Sequence, residues 1–186
     1  MNDTTDFQPS PDRRTIRTQK ALKRVMLELL DKKDISKITV SEIADLADIG
    51  RGTFYLHYQD SYDLLDKLED ELIEQITAHA NLDTEHSDDW LLAHFESIWR
   101  YIYKNKETFN ILMNCRNKGR FFEKIRQTSG RDILERYQGN PEKYPDYYAA
   151  IYVISGTLGI FLQWMEDGMP IPPDELAKIV NKIVTG

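Results

Sequence analysis

The sequence predicts an all-α fold. Apolar residues recur at three- and four-residue intervals through most of its 186 positions. No segment sustains the period-two alternation of a half-buried strand. The breaks between periodic stretches carry helix-boundary chemistry: Ser10-Pro11-Asp12, Asp60, Gly139-Asn140-Pro141, Gly168 and Pro172-Pro173-Asp174. With 41% hydrophobic residues the chain can bury a real core, in one or two small domains.

The elements follow in order. Residues 1–9 are polar and predict a disordered tail. Ser10 caps a first helix, with Pro11 in its first turn, and Ile16, Leu22, Val25, Met26, Leu29 and Leu30 recur at helical spacing to about Lys33. Ile35 and Ile38 anchor the connection to a short second helix. Thr39 caps that helix, and Glu42, three residues on, suits a capping box. Asp48-Ile49-Gly50 is turn chemistry, because Asp tolerates and Gly freely accepts unusual backbone angles. A third helix starts near Arg51, with Phe54 and Tyr58 facing the core and Arg51, Thr53, Tyr55 and His57 left outside. Asp60 caps a long fourth helix to about Ala80, with Leu64, Leu65, Leu68, Leu72, Ile73 and Ile76 as its apolar stripe.

Residues 81–89 read as a polar linker. Helices are then predicted over 90–103, 107–113, 120–137 and 146–166, and a last one opens at Pro172-Pro173-Asp174. The predicted organisation is a tail (1–9), a helix-turn-helix domain (10–58), a linking helix (59–80) and a C-terminal helical domain (81–186).

A short helix with a polar outer face, placed after a turn, suits the DNA major groove and its phosphate rims. The net charge of −7 does not favour nucleic acid, but its distribution does. Arg13, Arg14, Arg17, Lys20, Lys23 and Arg24 form one segment with no acid among them, and most of the acidic excess lies later. Cys115 is the only cysteine, which suits a reducing cytoplasm and forbids an intrachain disulfide. The first twenty residues hold no apolar run, which argues against an ordinary secretory signal. The stretch from Tyr147 to Met165 is apolar but contains Ser155, Thr157 and Gln163, so it reads as a buried helix and no membrane is expected.

The stretches T-V-S-E-I-A-D-L-A (39–47) and R-G-T-F-Y-L-H-Y (51–58) resemble the TetR family of bacterial transcriptional regulators, over about residues 13–73. The stretches at 99–112 and 147–169 resemble the TetR branch that includes a coactivator of dihydroxyacetone-kinase genes. The resemblance implies a dimer of about nine helices per chain. The first three helices would bind a double-stranded DNA operator, the fourth would link, and the rest would form a dimerisation and effector domain. Three positions depart from the family pattern. Asp48 stands for a common Gly, Gly50 for a common Ser cap, and Ser61 for a Lys that touches phosphate.

The candidate DNA-binding residues are Thr39, Arg51, Gly52, Thr53, Tyr55 and His57. Arg51 can grip guanine bidentately or simply hold a phosphate. Thr53 and Tyr55 offer hydroxyls to phosphate or base edges, and His57 matches a family phosphate contact. Thr39 can cap its helix and aim backbone N–H groups at phosphate. Phe95, Trp99, Tyr103, Phe109, Met113, Phe122, Tyr148 and Tyr152 are candidates to line an effector cavity, against ordinary core packing as the alternative. Gly156, Gly159, Ile160, Leu176, Ile179 and Ile183 suit a four-helix homodimer interface.

His79, His86 and His94 lack compact ligand spacing, so no metal is expected, and no motif implies a cofactor or a catalytic centre. The leading expectation is a cytoplasmic, ligand-responsive repressor acting as a homodimer on a palindromic operator. The alternative is a coactivator or protein-interaction module that senses through a partner protein.

Overall fold

The computed structural model of the chain describes residues 13–80, 90–114, 118–128 and 144–185, and every regular element among them is helical. Among the described residues nine α-helices run in order: α1 (Arg13–Leu30), α2 (Val40–Leu46), α3 (Arg51–Tyr55), α4 (Ser61–Ala80), α5 (Trp90–Lys104), α6 (Lys106–Asn114), α7 (Lys118–Thr128), α8 (Tyr144–Glu166) and α9 (Pro173–Thr185). The 1–9 tail, the Ser10 cap, the 81–89 linker, His86, Cys115 and the continuation of α7 to Tyr137 with its Gly139-Asn140-Pro141 stop lie outside the described residues.

The chain divides into two compact units, Met1–Leu68 and Glu69–Gly186, with the boundary inside α4. In the first unit α1 buries Leu22, Val25, Met26, Leu29 and Leu30. Ile16 departs from the expected stripe: it lies well ahead of the first buried residue and is 49% exposed. A single 3-10 turn (Ile35–Lys37) buries Ile35 and leads to the buried Ile38. Asp34 starts it by accepting from Ser36 N–H at 2.9 Å.

Helix α2 opens as its sequence predicts, with Thr39 Oγ1 accepting from Glu42 N–H at 3.3 Å. The reciprocal half of the capping box is replaced. Both Glu42 carboxylate oxygens take Lys33 Nζ instead, at 2.6 and 2.5 Å, because an ion pair outbids a neutral N–H donor. That pair ties the segment after α1 to the first turn of α2.

The turn after α2 closes as a Schellman motif. Ile49 N–H donates to Ala44 C=O at 3.0 Å and Asp48 N–H to Asp45 C=O at 3.3 Å. The motif requires a left-handed residue, and Asp48 supplies it at φ 54°. Only glycine adopts this region without a steric cost, which is about 1–2 kcal/mol for an ordinary residue and less for Asp or Asn. Asp48→Gly should therefore raise the stability of the chain and Asp48→Val lower it, each by about 1 kcal/mol. Urea unfolding of the two variants checks this, and a Val variant as stable as the native chain would contradict it.

In the second unit α9 packs along α5. The core there is built from Phe95, Trp99 and Ile102 of α5, Phe109 and Leu112 of α6, Phe121 and Ile125 of α7, and Leu176, Ala177 and Val180 of α9. Helix α8 ends in a second Schellman motif, with Gly168 at φ 79° and Met169 N–H donating to Trp164 C=O at 2.8 Å. Trp164 Nε1–H then donates to Ile171 C=O at 3.0 Å and pins the approach to α9. Residues 147–166 of α8 are long and apolar enough to cross a membrane by length and composition, and 24% of that stretch is buried in the single chain.

Candidate nucleic-acid interface

The first unit places its candidate residues through two short helices and a tight corner. Phe54 and Tyr58 are buried, 0% and 3% exposed, with ring centroids 5.7 Å apart. They fix the inner side of α3 and of the turn that follows it. Arg51 and Gly52 are exposed, Tyr55 is 58% exposed, and Thr53 and His57 are half-buried. Thr39 is exposed at the start of α2. All six sequence-predicted residues are thus brought into one compact unit, and none is fully buried. Gly50 caps α3 in extended conformation with no side-chain hydrogen bond. The serine cap of the family pattern is therefore not replaced by another side chain.

The end of α3 is held from α4. Asp60 Oδ1 accepts from Asp63 N–H at 2.8 Å, so Asp60 caps α4 as its sequence suggests. Asp63 Oδ2 accepts in return from Gln59 N–H at 2.8 Å and from Lys67 Nζ at 3.0 Å. The Gln59 N–H, with Lys67 in support, holds the Asp63 carboxyl below its usual range despite partial desolvation. Lys67 Nζ also donates to His57 C=O at 3.3 Å and lies 5.3 Å from the Tyr58 ring centroid. This corner positions His57 from below. Ser61, at the position of the family's phosphate-touching lysine, is only 7% exposed.

Arg13, Arg14, Arg17, Lys20 and Arg24 on α1 are exposed and Lys23 is half-buried. Arg24 pairs with Glu28 at 2.9 Å across one helical turn. Arg51 sits at the first position of α3, and no carboxylate among the described residues pairs with it. The arrangement offers guanidinium and hydroxyl groups on one short helix and an imidazole in the turn after it, with further cations on α1. That donor set suits phosphates and the acceptor edges of bases.

Leu56 is a further surface residue of this region, outside the six candidates. It is 81% exposed, directly after α3, between Tyr55 and His57. The signal that finds it is angular: it is two residues from both buried aromatics, a rotation of about 200° along the helix.

In the second unit the effector candidates do not share one place. Phe95, Trp99, Phe109 and Met113 are buried in the core, with Phe95 stacked on Trp99 at 5.4 Å. Phe122 is half-buried, while its neighbour Phe121 is fully buried beside Phe109. Tyr103 is 38% exposed and stacks on Trp164 at 6.1 Å. Tyr148 and Tyr152 stand 65% and 74% exposed on α8, at the surface and unlike the buried candidates.

A groove of about 460 Å³ lies between α4 and α7 instead, lined by Asp70, Ile73, Glu74, Thr77, Lys124, Gln127 and Thr128. Beside it the fully buried Glu69 accepts from Arg120 at 3.2 Å and lies 3.3 Å from Lys124 through Oε2, while its Oε1 has no hydrogen-bond partner. His79 of α4 stacks on Tyr101 at 4.6 Å. Burial, with the nearby Glu71 charge in support, pushes the Tyr101 hydroxyl above its usual range.

Of the interface candidates, Gly156 and Gly159 are exposed, and a Cβ added to either meets nothing within 4 Å. Ile160 is half-buried, and Ile179 and Ile183 are 48% and 58% exposed. Leu176 differs: it is 5% exposed, turned into the α5–α9 contact of its own chain.

Comparison with known proteins agrees with this arrangement. The model of bacterial regulatory proteins of the tetR family matches residues 25–68, and a transcriptional regulator C-terminal region of TetR type matches residues 88–186. The chain is 25% identical over 174 residues, 88% of its length, to an uncharacterized HTH-type transcriptional regulator, YxbF, of Bacillus subtilis (strain 168). It spans 44% of the length of that curated relative. Among solved structures it resembles NalD, the secondary repressor of the MexAB-OprM multidrug efflux pump in Pseudomonas aeruginosa, with a TM-score of 0.61 at 21% identity over 92% of this chain and 96% of that one. It also resembles the dihydroxyacetone kinase operon activator DhaS, with a TM-score of 0.60 at 17% identity over 91% and 95% of the two chains. These two likenesses are of fold. One fold thus carries a repressor and an activator, so the fold alone does not set the sign of regulation. With one family model on the helix-turn-helix and another on more than half of the chain, this protein belongs to the TetR family of bacterial transcriptional regulators.

Proposed function

We propose that this chain is a cytoplasmic DNA-binding regulator that acts as a homodimer on a palindromic operator, as a ligand-responsive repressor. The observation that carries the DNA-binding reading is the division of α3 and the turn after it between buried Phe54 and Tyr58 and exposed Arg51 and Tyr55. Two such helices, one per protomer, would read half-sites about 34 Å apart. The exposed stripe of Tyr148, Tyr152, Gly156 and Gly159 on α8, with Ile179 and Ile183 of α9, supports the dimer. A second copy on this stripe would cover the apolar α8 and leave no need for a membrane. An effector would act by binding differently to the operator-competent and incompetent dimers.

A specific observation favours the second reading, a coactivator that senses through a partner protein. Phe95, Trp99, Phe109 and Met113 pack as core, and the described groove contains none of the eight effector candidates. A transcriptional reporter under the regulated promoter separates the two: loss of the gene raises transcription for a repressor and lowers it for a coactivator.

Arg51→Ala tests the interface itself. It should weaken operator binding by about 1–3 kcal/mol and relax preference at one symmetric base pair. Selection of the variant against randomised operators reads this out. Equal weakening on every sequence would leave Arg51 a phosphate contact only.

A further inference from the structure

Leu56 is the residue that caps the C-terminal end of α3. It is 81% exposed, the most exposed large hydrophobic side chain among the described residues. The backbone is helical through this point: Leu56 N–H donates to Gly52 C=O at 3.2 Å and Tyr58 N–H to Phe54 C=O at 3.0 Å. At about 100° per residue, Leu56 lies at the pole opposite Phe54 and Tyr58, the side that points away from the core of its unit. A helical side chain leans over the turn before it, which here is Gly52, four residues earlier. Gly52 has no side chain, and the space its Cβ would occupy is empty. Leu56 is therefore an apolar knob at the end of α3, over a bare stretch of backbone, with Thr53, Tyr55 and His57 within about 100° of it around the helix axis.

We propose that Leu56 is a specificity-determining residue that takes the 5-methyl group of a thymine in the major groove. This rests on the DNA-binding reading above. Thymine is the base that displays an apolar group in that groove, so an apolar knob at the outer pole distinguishes it from cytosine without a hydrogen bond. Gly52 lets the helix backbone come close enough for Leu56 to reach the base edge. Thr53, Tyr55 and His57 on either side of it supply polar contacts that hold the helix there.

The test uses the full chain and a duplex recovered by selection from random DNA. Thymines of one half-site are replaced singly by uracil, which lacks the methyl group. The native chain should bind about fourfold more weakly at one of these positions, the weight of one buried methyl. Leu56→Ala should bind the thymine and uracil duplexes alike, and Leu56→Met should restore the difference. Substitution at an 81% exposed position leaves the core untouched, and an unchanged unfolding midpoint confirms it. An equal uracil penalty in the native and Ala proteins, or no penalty at any thymine, would overturn the role of Leu56 while leaving DNA binding intact. Failure to recover any enriched duplex would overturn the DNA-binding reading, and this one with it.

Discussion

Gly156→Leu is expected to yield a folded monomer that has lost operator affinity by about a hundredfold or more. In the single chain the position is open: Gly156 is exposed and an added Cβ meets nothing within 4 Å. The larger side chain therefore costs the protomer's own fold little. At a symmetric interface it meets its own counterpart, and overpacking pushes the paired helices apart. Tyr148 and Tyr152 on the same stripe, 65% and 74% exposed, would then stay in water. A monomer reads one half-site and forfeits the gain from binding two at once. Sedimentation and operator titration on the same sample decide the matter. A tight dimer with full operator affinity would refute this placement of the interface without touching the helix-turn-helix.

Tyr55→Ala and His57→Ala should each weaken operator binding about tenfold, the scale of one lost contact, while the protein remains a dimer. Tyr55 is 58% exposed, so its removal spares the core. Its ring does meet Phe54 edge-on at 5.7 Å, and a small loss of stability is expected with it. His57 is held from α4 through the Lys67 bond to its carbonyl, which survives the substitution. If His57 touches phosphate, its variant also lowers the salt dependence of binding by about one unit of slope. Gel shift and analytical ultracentrifugation together check both variants. Native affinity in both would remove α3 from the DNA interface.

Much of the first unit was legible because its signals are local. Thr39 and Asp60 are three residues from the N–H groups they cap, so the caps can be read from spacing alone. Asp48 sits between an apolar helix and a glycine, and its left-handed angle follows from the turn it must make. What failed there failed through a competitor: Glu42 would have returned to Thr39 had Lys33 not come within 2.6 Å. Leu56 carries no polar group to mark it as part of the outer face, and its place there follows only from its angle to Phe54 and Tyr58.

The second unit was harder to read. Glu69 falls in the apolar stripe of α4 between Leu68 and Ile73, and a carboxylate there signals solvent. It is instead fully buried, because Arg120, 51 residues further on, folds back onto it. No local pattern announces such a partner. The aromatic residues pose the same problem. Phe95 and Tyr152 carry the same compositional hint of a cavity, yet one is core and the other surface, and only the packing of α5, α8 and α9 separates them.

The measurement that bears most directly on the central claim is selection of the full-length chain against random duplex DNA. The expected result is an enriched inverted repeat with half-site centres about 34 Å apart, bound by two protomers, with affinity falling steeply as salt rises. Recovery of no sequence above the random background would contradict it.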